Sequence, residues 1–259
     1  MLIDSHTHLD YCEDDPAELV ADAREAGVGL ILQCGTDLAR SRRSVELAAS
    51  FPEVVAIVGY HPHEAAGLDD EGLAQLEEWT GHPRVVAVGE VGFDYYHDHC
   101  PHDVQREVFI RQLELAQRVD LPVVVHTRDA ADDTLAVLAE HGTELTVVLH
   151  CFSIPEHLEE VVERGYYLSF AGNVTYKKAA GLQGSAVAVP NNLLLLETDA
   201  PWLTPEPLRG RPNRPGLVAK VYEFVAALRG VTVEALADQV EENAYRAFPR
   251  LTNALGSPS

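Results

Sequence analysis

Residues 121–130 read LPVVVHTRDA. The run Pro122-Val-Val-Val125 is short, β-branched and apolar on both faces, and it stops at His126. A strand buried between two layers reads this way, as in a parallel sheet covered by helices. Working outward from it, the same grammar recurs. Comparable apolar runs occupy residues 2–4, 28–33, 54–59, 85–89, 146–149, 166–170 and 193–196. Amphipathic segments fill the gaps at 16–26, 38–49, 72–79, 103–119, 131–141, 155–163, 218–228 and 233–245. In the longest, Val104, Val108, Phe109, Leu113, Ala116 and Val119 share one helical face, and Asp103 is placed to cap it. Residues 175–188 carry only a weak helical pattern. Strands alternating with helices in this number predict an α/β fold, a single-domain (β/α)8 TIM barrel over residues 1–250, with a frayed tail over 251–259. An open doubly wound sheet is the alternative. The Pro-rich stretch 201–215 lies between the last strand and a helix, which makes it a long loop at the mouth.

Composition narrows the function. The chain of 259 residues has a net charge of −22, which argues against a broad basic surface for gripping nucleic acid. A phosphate-binding cleft remains compatible with it, because bound cations dominate their local field. No basic-then-apolar leader pattern opens the sequence, and no apolar run approaches the roughly 20 residues that span a bilayer. A cytoplasmic, membrane-free monomer is expected. The cysteines Cys12, Cys34, Cys100 and Cys151 are scattered without a CxxC pair and read as free thiols.

The strand ends carry the chemistry. His6 and His8 lie just past the first strand, and their i, i+2 spacing on extended backbone points both side chains one way. Glu90 follows the fourth strand, His126 the fifth, His150 the sixth and Asp199 the eighth. In a parallel barrel these ends meet at one mouth. Imidazole and carboxylate ligands suit zinc, manganese, iron or nickel. Six of them exceed the needs of one tetrahedral ion and fit about two divalent ions, with Glu90 as the candidate bridge. Nearby, His61 and His63 follow the third strand, Asp94 and Tyr95 follow Glu90, and Arg128 follows His126. Arg128 has the bidentate fork for a phosphate. His61 is placed for metal or phosphate, and Tyr95 stands at the rim. His97-Asp98-His99 repeats the His-x-His spacing but in a polar loop, and reads as surface. Cys151 follows a committed histidine and is not read as a nucleophile. No nucleophile elbow, P-loop or dinucleotide fingerprint occurs.

With these residues in view, the chain closely resembles the TatD-type deoxyribonucleases, a branch of the amidohydrolase-like metal-dependent hydrolases. The matching segments are DSHTHLD (4–10), GYHPHE (59–64), VGEVGFDYY (88–96), QREVFIRQLELA (105–116), LPVVVHTRDA (121–130), LHCFS (149–153), LSFAGNVTYK (168–177), LLLETDAPWLTP (194–205) and RGRPNRP (209–215). The resemblance implies a metal site at His6, His8, Glu90, His126, His150 and Asp199. It implies hydrolysis of DNA phosphodiesters, 3′–5′ exonuclease-like, by metal-activated water with two zinc, magnesium or manganese ions. Asp199 would take the proton, Glu90 would join the catalytic set, and Arg128, His61, Tyr95, Arg211 and Asn213 would contact substrate. Single-stranded DNA, 3′ ends or a small phosphoester are the implied substrates. The alternative is a superfamily enzyme acting on a small amide, ester or lactone, and Glu90 disfavours the lactonase or phosphotriesterase branch, which carries a modified lysine there. Arg214 departs from the pattern, where an acidic residue usually follows the asparagine; this bears on substrate choice.

Overall fold

Eight parallel strands form one sheet in strict chain order: β1 (Leu2–Thr7), β2 (Val28–Cys34), β3 (Val54–Val58), β4 (Val85–Asp94), β5 (Val123–Arg128), β6 (Val147–Leu149), β7 (Tyr167–Phe170) and β8 (Leu194–Leu196). The computed structural model describes residues 1–97 and 99–255. Helices α1 (Pro16–Glu25), α2 (Leu38–Ser50), α3 (Asp70–Thr80), α4 (His102–Val119), α5 (Ala131–His141), α6 (Leu158–Glu163), α7 (Ala180–Ala188) and α8 (Val218–Arg229) follow the strands in turn, and α9 (Val233–Ala247) and α10 (Leu251–Leu255) end the chain. A doubly wound sheet would reverse its strand order at a switch point; this one does not. The (β/α)8 barrel expected from the sequence is the fold.

The aliphatic runs explain why it closes. All of β3 and nearly all of β2 are buried, because a sheet covered by helices has no wet face. Helix starts are fixed locally: Asp15, Asp37 and Asp69 accept backbone N–H groups at the heads of α1, α2 and α3. The expectation at α4 needs correction. The helix begins at His102 after Pro101, and Asp103 lies inside its first turn, where its charge favours the positive helix end without capping it. The weak pattern over 175–188 resolves into a 3-10 turn at Gly172–Thr175 and then α7. The tail expected to fray is helical over Leu251–Leu255, because Leu251 is fully buried against the core; residues 256–259 lie outside the described residues.

Two strands carry an extra residue where the site is built. Along β4, Gly89 pairs with Val124 and Val91 with Val125, so Glu90 is a bulged residue with no partner on β5. Along β1, Asp4 pairs with Ile31 but Thr7 with Gln33, again one residue too many. These irregularities correct the reading of Glu90 as lying beyond its strand: β4 runs on to Asp94 and carries Glu90 in mid-course. Gly92 makes the close β4–β5 approach possible. It has φ +135°, and a Cβ there would stand 2.0 Å from the His126 carbonyl oxygen.

The seam between β8 and β1 is stitched mainly at the mouth. Asp199 N–H donates to the His6 carbonyl at 3.0 Å and His8 N–H to the Ala200 carbonyl at 2.9 Å. The Asp4 carboxylate accepts Thr198 N–H at 2.8 Å and the Thr198 hydroxyl at 2.6 Å.

Candidate metal centre

The bulge turns Glu90 into the mouth, and its two carboxylate oxygens face different histidines. Oε1 lies 2.8 Å from His126 Nδ1, 2.7 Å from His150 Nε2 and 3.5 Å from His61 Nε2. Oε2 lies 3.4 Å from His6 Nε2 and 3.6 Å from His8 Nε2. Asp199 completes the second side, with Oδ1 3.6 Å from His8 Nε2. Asp199 reaches this position in the left-handed region, φ 53°, which aspartate tolerates better than most residues. The structure therefore brings together all six residues that the sequence singles out as ligands.

Hydrogen bonds at the far ring nitrogens set the near ones. His8 Nδ1 is 3.0 Å from the Cys34 carbonyl and must donate to it, which leaves the Nε2 lone pair facing inward. His150 Nδ1 is 3.3 Å from Glu197 Oε1, which also accepts Cys151 N–H at 2.7 Å. Inward-facing nitrogens then crowd one another: His6 and His8 Nε2 are 3.1 Å apart, and His126 Nδ1 and His150 Nε2 are 3.2 Å apart. Donor atoms of His6, His8 and Asp199 lie within 4.8 Å of one another, as do those of His6, Glu90 and His150. Imidazole lone pairs converging in a buried site, with carboxylates among them, fit divalent cations.

Electrostatics agree. Burial works against the charged form of Glu90, but His150 and His61, with hydrogen bonds from His126 and His150, hold its carboxyl well below the usual range. His150 and His126 are raised despite burial, His150 chiefly by Glu90 and Glu197, His126 chiefly by Asp94 and Glu90. The carboxylates thus draw protons onto the same lone pairs that a cation would use, so cation binding releases protons. His61 differs: burial pushes its imidazole well below its ordinary value. Its Nδ1 accepts His63 N–H at 3.1 Å, so in the neutral ring Nε2 carries the hydrogen and points into the site as a donor.

The other expected contacts divide. Arg128 lines the cavity with its guanidinium 4.3 Å over the Tyr96 ring. Tyr95 also lines it, but its hydroxyl donates to Asp133 at 2.6 Å. Asn213 and Arg211 are not on the cavity wall. The Asn213 amide is buried and donates to the Thr198 and Trp202 carbonyls, shaping the loop behind the site. Arg211 is exposed, with its carbonyl held by the Thr204 hydroxyl. Arg214 pairs with Asp14 and Asp22, tying the loop to the α1 region on the outside. Burial pushes the Cys151 thiol well up, away from the thiolate form. Glu197 escaped the sequence reading, although the same signal marks it: a carboxylate at the end of Leu193-Leu-Leu-Leu196, here fully buried behind His150. His97, read as surface, is joined to Asp94 at 2.8 Å; its neighbour Asp98 lies outside the described residues.

The model of TatD-related DNases matches residues 3–249. The chain belongs to this TatD family. It is 39% identical to the metal-dependent hydrolase YabD of Bacillus subtilis over 96% of this chain and 99% of that protein. It is 34% identical to the 3′–5′ ssDNA/RNA exonuclease TatD of Dickeya dadantii over 90% of this chain and 92% of that one. The crystal structure of the TatD homologue YjjV from Escherichia coli superposes with a TM-score of 0.89 at 32% identity, covering 96% of this chain and 98% of that one. This TatD-family chain is thus a metal-dependent hydrolase. No helix among its described residues is long and apolar enough to cross a membrane.

Proposed function

We propose that the chain is a deoxyribonuclease that removes nucleotides from the 3′ end of single-stranded DNA, using two divalent ions of the zinc, magnesium or manganese class. The observation that carries the two-ion reading is the division of Glu90, one oxygen toward His126 and His150 and the other toward His6 and His8. When bound, such ions lower the pKa of water toward about 7 and neutralise charge developing on phosphoryl oxygens. The chain's residues do the rest. Asp199, 14% exposed, accepts the proton of the attacking water from the open side of the site. His61 Nε2–H and the Arg128 fork hold phosphate oxygens.

The nucleic-acid substrate draws support from the Dickeya relative and from the cleft. The cavity of about 1160 Å3 exceeds the range of roughly 300–1,000 Å3 usual for small-ligand pockets. At its lip the Trp202 indole is 47% exposed, with the Tyr11 ring tilted against it at 5.3 Å, and offers an aromatic face on which a base can stack. The test is cleavage of end-labelled single-stranded DNA by chelator-treated protein with Mg2+, Mn2+ or Zn2+ restored separately. Metal-dependent laddering, absent in His126→Ala, is expected. No cleavage with any metal, in protein that still binds metal, would overturn the nuclease reading in favour of a small amide, ester or lactone.

A further inference from the structure

A second convergence of imidazoles stands on the β3–β4 side of the cavity, sharing only His126 with the six residues of the main centre. Asp94 is the last residue of β4, His63 lies in the 3-10 turn Pro62–Gly67 after β3, and His97 follows β4. Asp94 Oδ1 is occupied by the backbone N–H groups of Tyr96 at 3.0 Å and His97 at 2.9 Å. That anchors the carboxylate and leaves Oδ2 projecting. Three ring nitrogens converge on that one atom: His63 Nε2 and His97 Nδ1, both at 2.8 Å, and His126 Nε2 at 3.4 Å. A carboxylate oxygen offers about two lone pairs. Were all three nitrogens to present N–H groups, one would be left over, and His126 Nε2 makes no hydrogen bond among the described residues.

We propose that His63 Nε2, Asp94 Oδ2 and His97 Nδ1 form an additional divalent-cation site beside the hydrolytic centre. Their atoms lie within 4.8 Å of one another. The two nitrogen–oxygen separations of 2.8 Å come close to the edge of about 3 Å between neighbouring ligands of an octahedron with bond lengths near 2.1 Å. Two imidazoles and one carboxylate select a borderline cation, zinc, cobalt(II) or iron(II), over magnesium or calcium, which prefer oxygen. The three residues line the cavity, so the remaining coordination positions open toward it. A cation there also resolves the lone-pair conflict. Asp94 Oδ2 gives one lone pair to the cation and the other to His126 Nε2–H, and the His63 and His97 nitrogens become ligands instead of competing donors. His126 then spans both sites, with Nδ1 toward Glu90 and Nε2 toward Asp94.

The test is metal stoichiometry, so it stands apart from whether DNA is the substrate. Chelator-stripped full-length protein is titrated with Co2+ by calorimetry and by visible absorption, and the retained metal is counted after desalting. His97→Asn, at the half-exposed rim, is expected to bind about one equivalent fewer than wild type. In the converse variant, His150→Asn, binding at the main centre falls while the His63–Asp94–His97 equivalent and its cobalt spectrum persist. Equal stoichiometry in wild type, His97→Asn and His63→Asn would overturn the proposal and leave a hydrogen-bonded cluster. Loss of all metal in His97→Asn would overturn it as well, by making His97 part of the main centre.

Discussion

The lower barrel and its mouth are made from the same eight strands, yet they obey opposite rules. Below, Leu30, Ile57, Val86, Val124, Val148, Leu168 and Leu195 are sealed among hydrocarbon and need nothing beyond one another. At the mouth, His6, His8, Glu90, His150 and Glu197 are just as buried, but their polar atoms are matched only in part: His6 Nδ1 and Glu197 Oε2 are buried without a partner among the described residues. Burying such groups is costly unless charge and hydrogen bonds are met. The aliphatic half supplies the stability that lets the polar half be held in an unfavourable arrangement.

That contrast has measurable edges. The largest effect belongs to the mouth and leaves the fold alone: Asp199→Asn should lose about 10²- to 10⁴-fold in turnover on single-stranded DNA, with a thermal midpoint within a few degrees of wild type. An unimpaired variant would remove Asp199 from the proton transfer. Next comes a residue where the halves meet. Gly92→Ala forces a Cβ against the His126 carbonyl and should cost about 3 kcal/mol or more by urea unfolding, together with weaker metal binding. A stability loss with metal binding intact would uncouple the two regions. Leu195→Ala, wholly within the lower barrel, should cost about 3 kcal/mol through its cavity, while metal stoichiometry stays at the wild-type value. The smallest effect is outside both. Arg214→Ala breaks partly exposed pairs with Asp14 and Asp22 and should cost less than about 1 kcal/mol, with no change in the preferred DNA substrate; a changed preference would return Arg214 to the substrate path.

How much of this the chain discloses follows the same division. Strand positions are legible because aliphatic runs two-sidedly buried leave little choice of structure, and the six candidate ligands are legible because each stands at or just past such a run. Glu90 was found as a residue type but not as a bulge, since an inserted residue leaves no mark on hydrophobic period. Asp94 carries no role in the sequence reading, because the cluster around it needs His63 from the turn after β3 as well as the nearby His97. Asn213 and Arg211 were carried to the substrate by motif alone. A motif preserves identity without direction: the Asn213 amide is spent on the Thr198 and Trp202 carbonyls, and neither residue lines the cavity. The short helix over Leu251–Leu255 is not legible because Leu251, in a polar neighbourhood, gives no sign that it is buried.

The seam between the last strand and the first has a mechanical meaning. Thr198 and Asp4 are 194 residues apart in the chain, and across that junction His8 faces Asp199. His8 and Asp199 would hold a cation from both sides of that junction, and so fasten the chain's opening strand to its final one. Whatever binds only the fastened ring raises the free energy of opening it, by about 1.4 kcal/mol for each tenfold excess over the dissociation constant. Loading the centre and locking the hoop are, on this geometry, a single event.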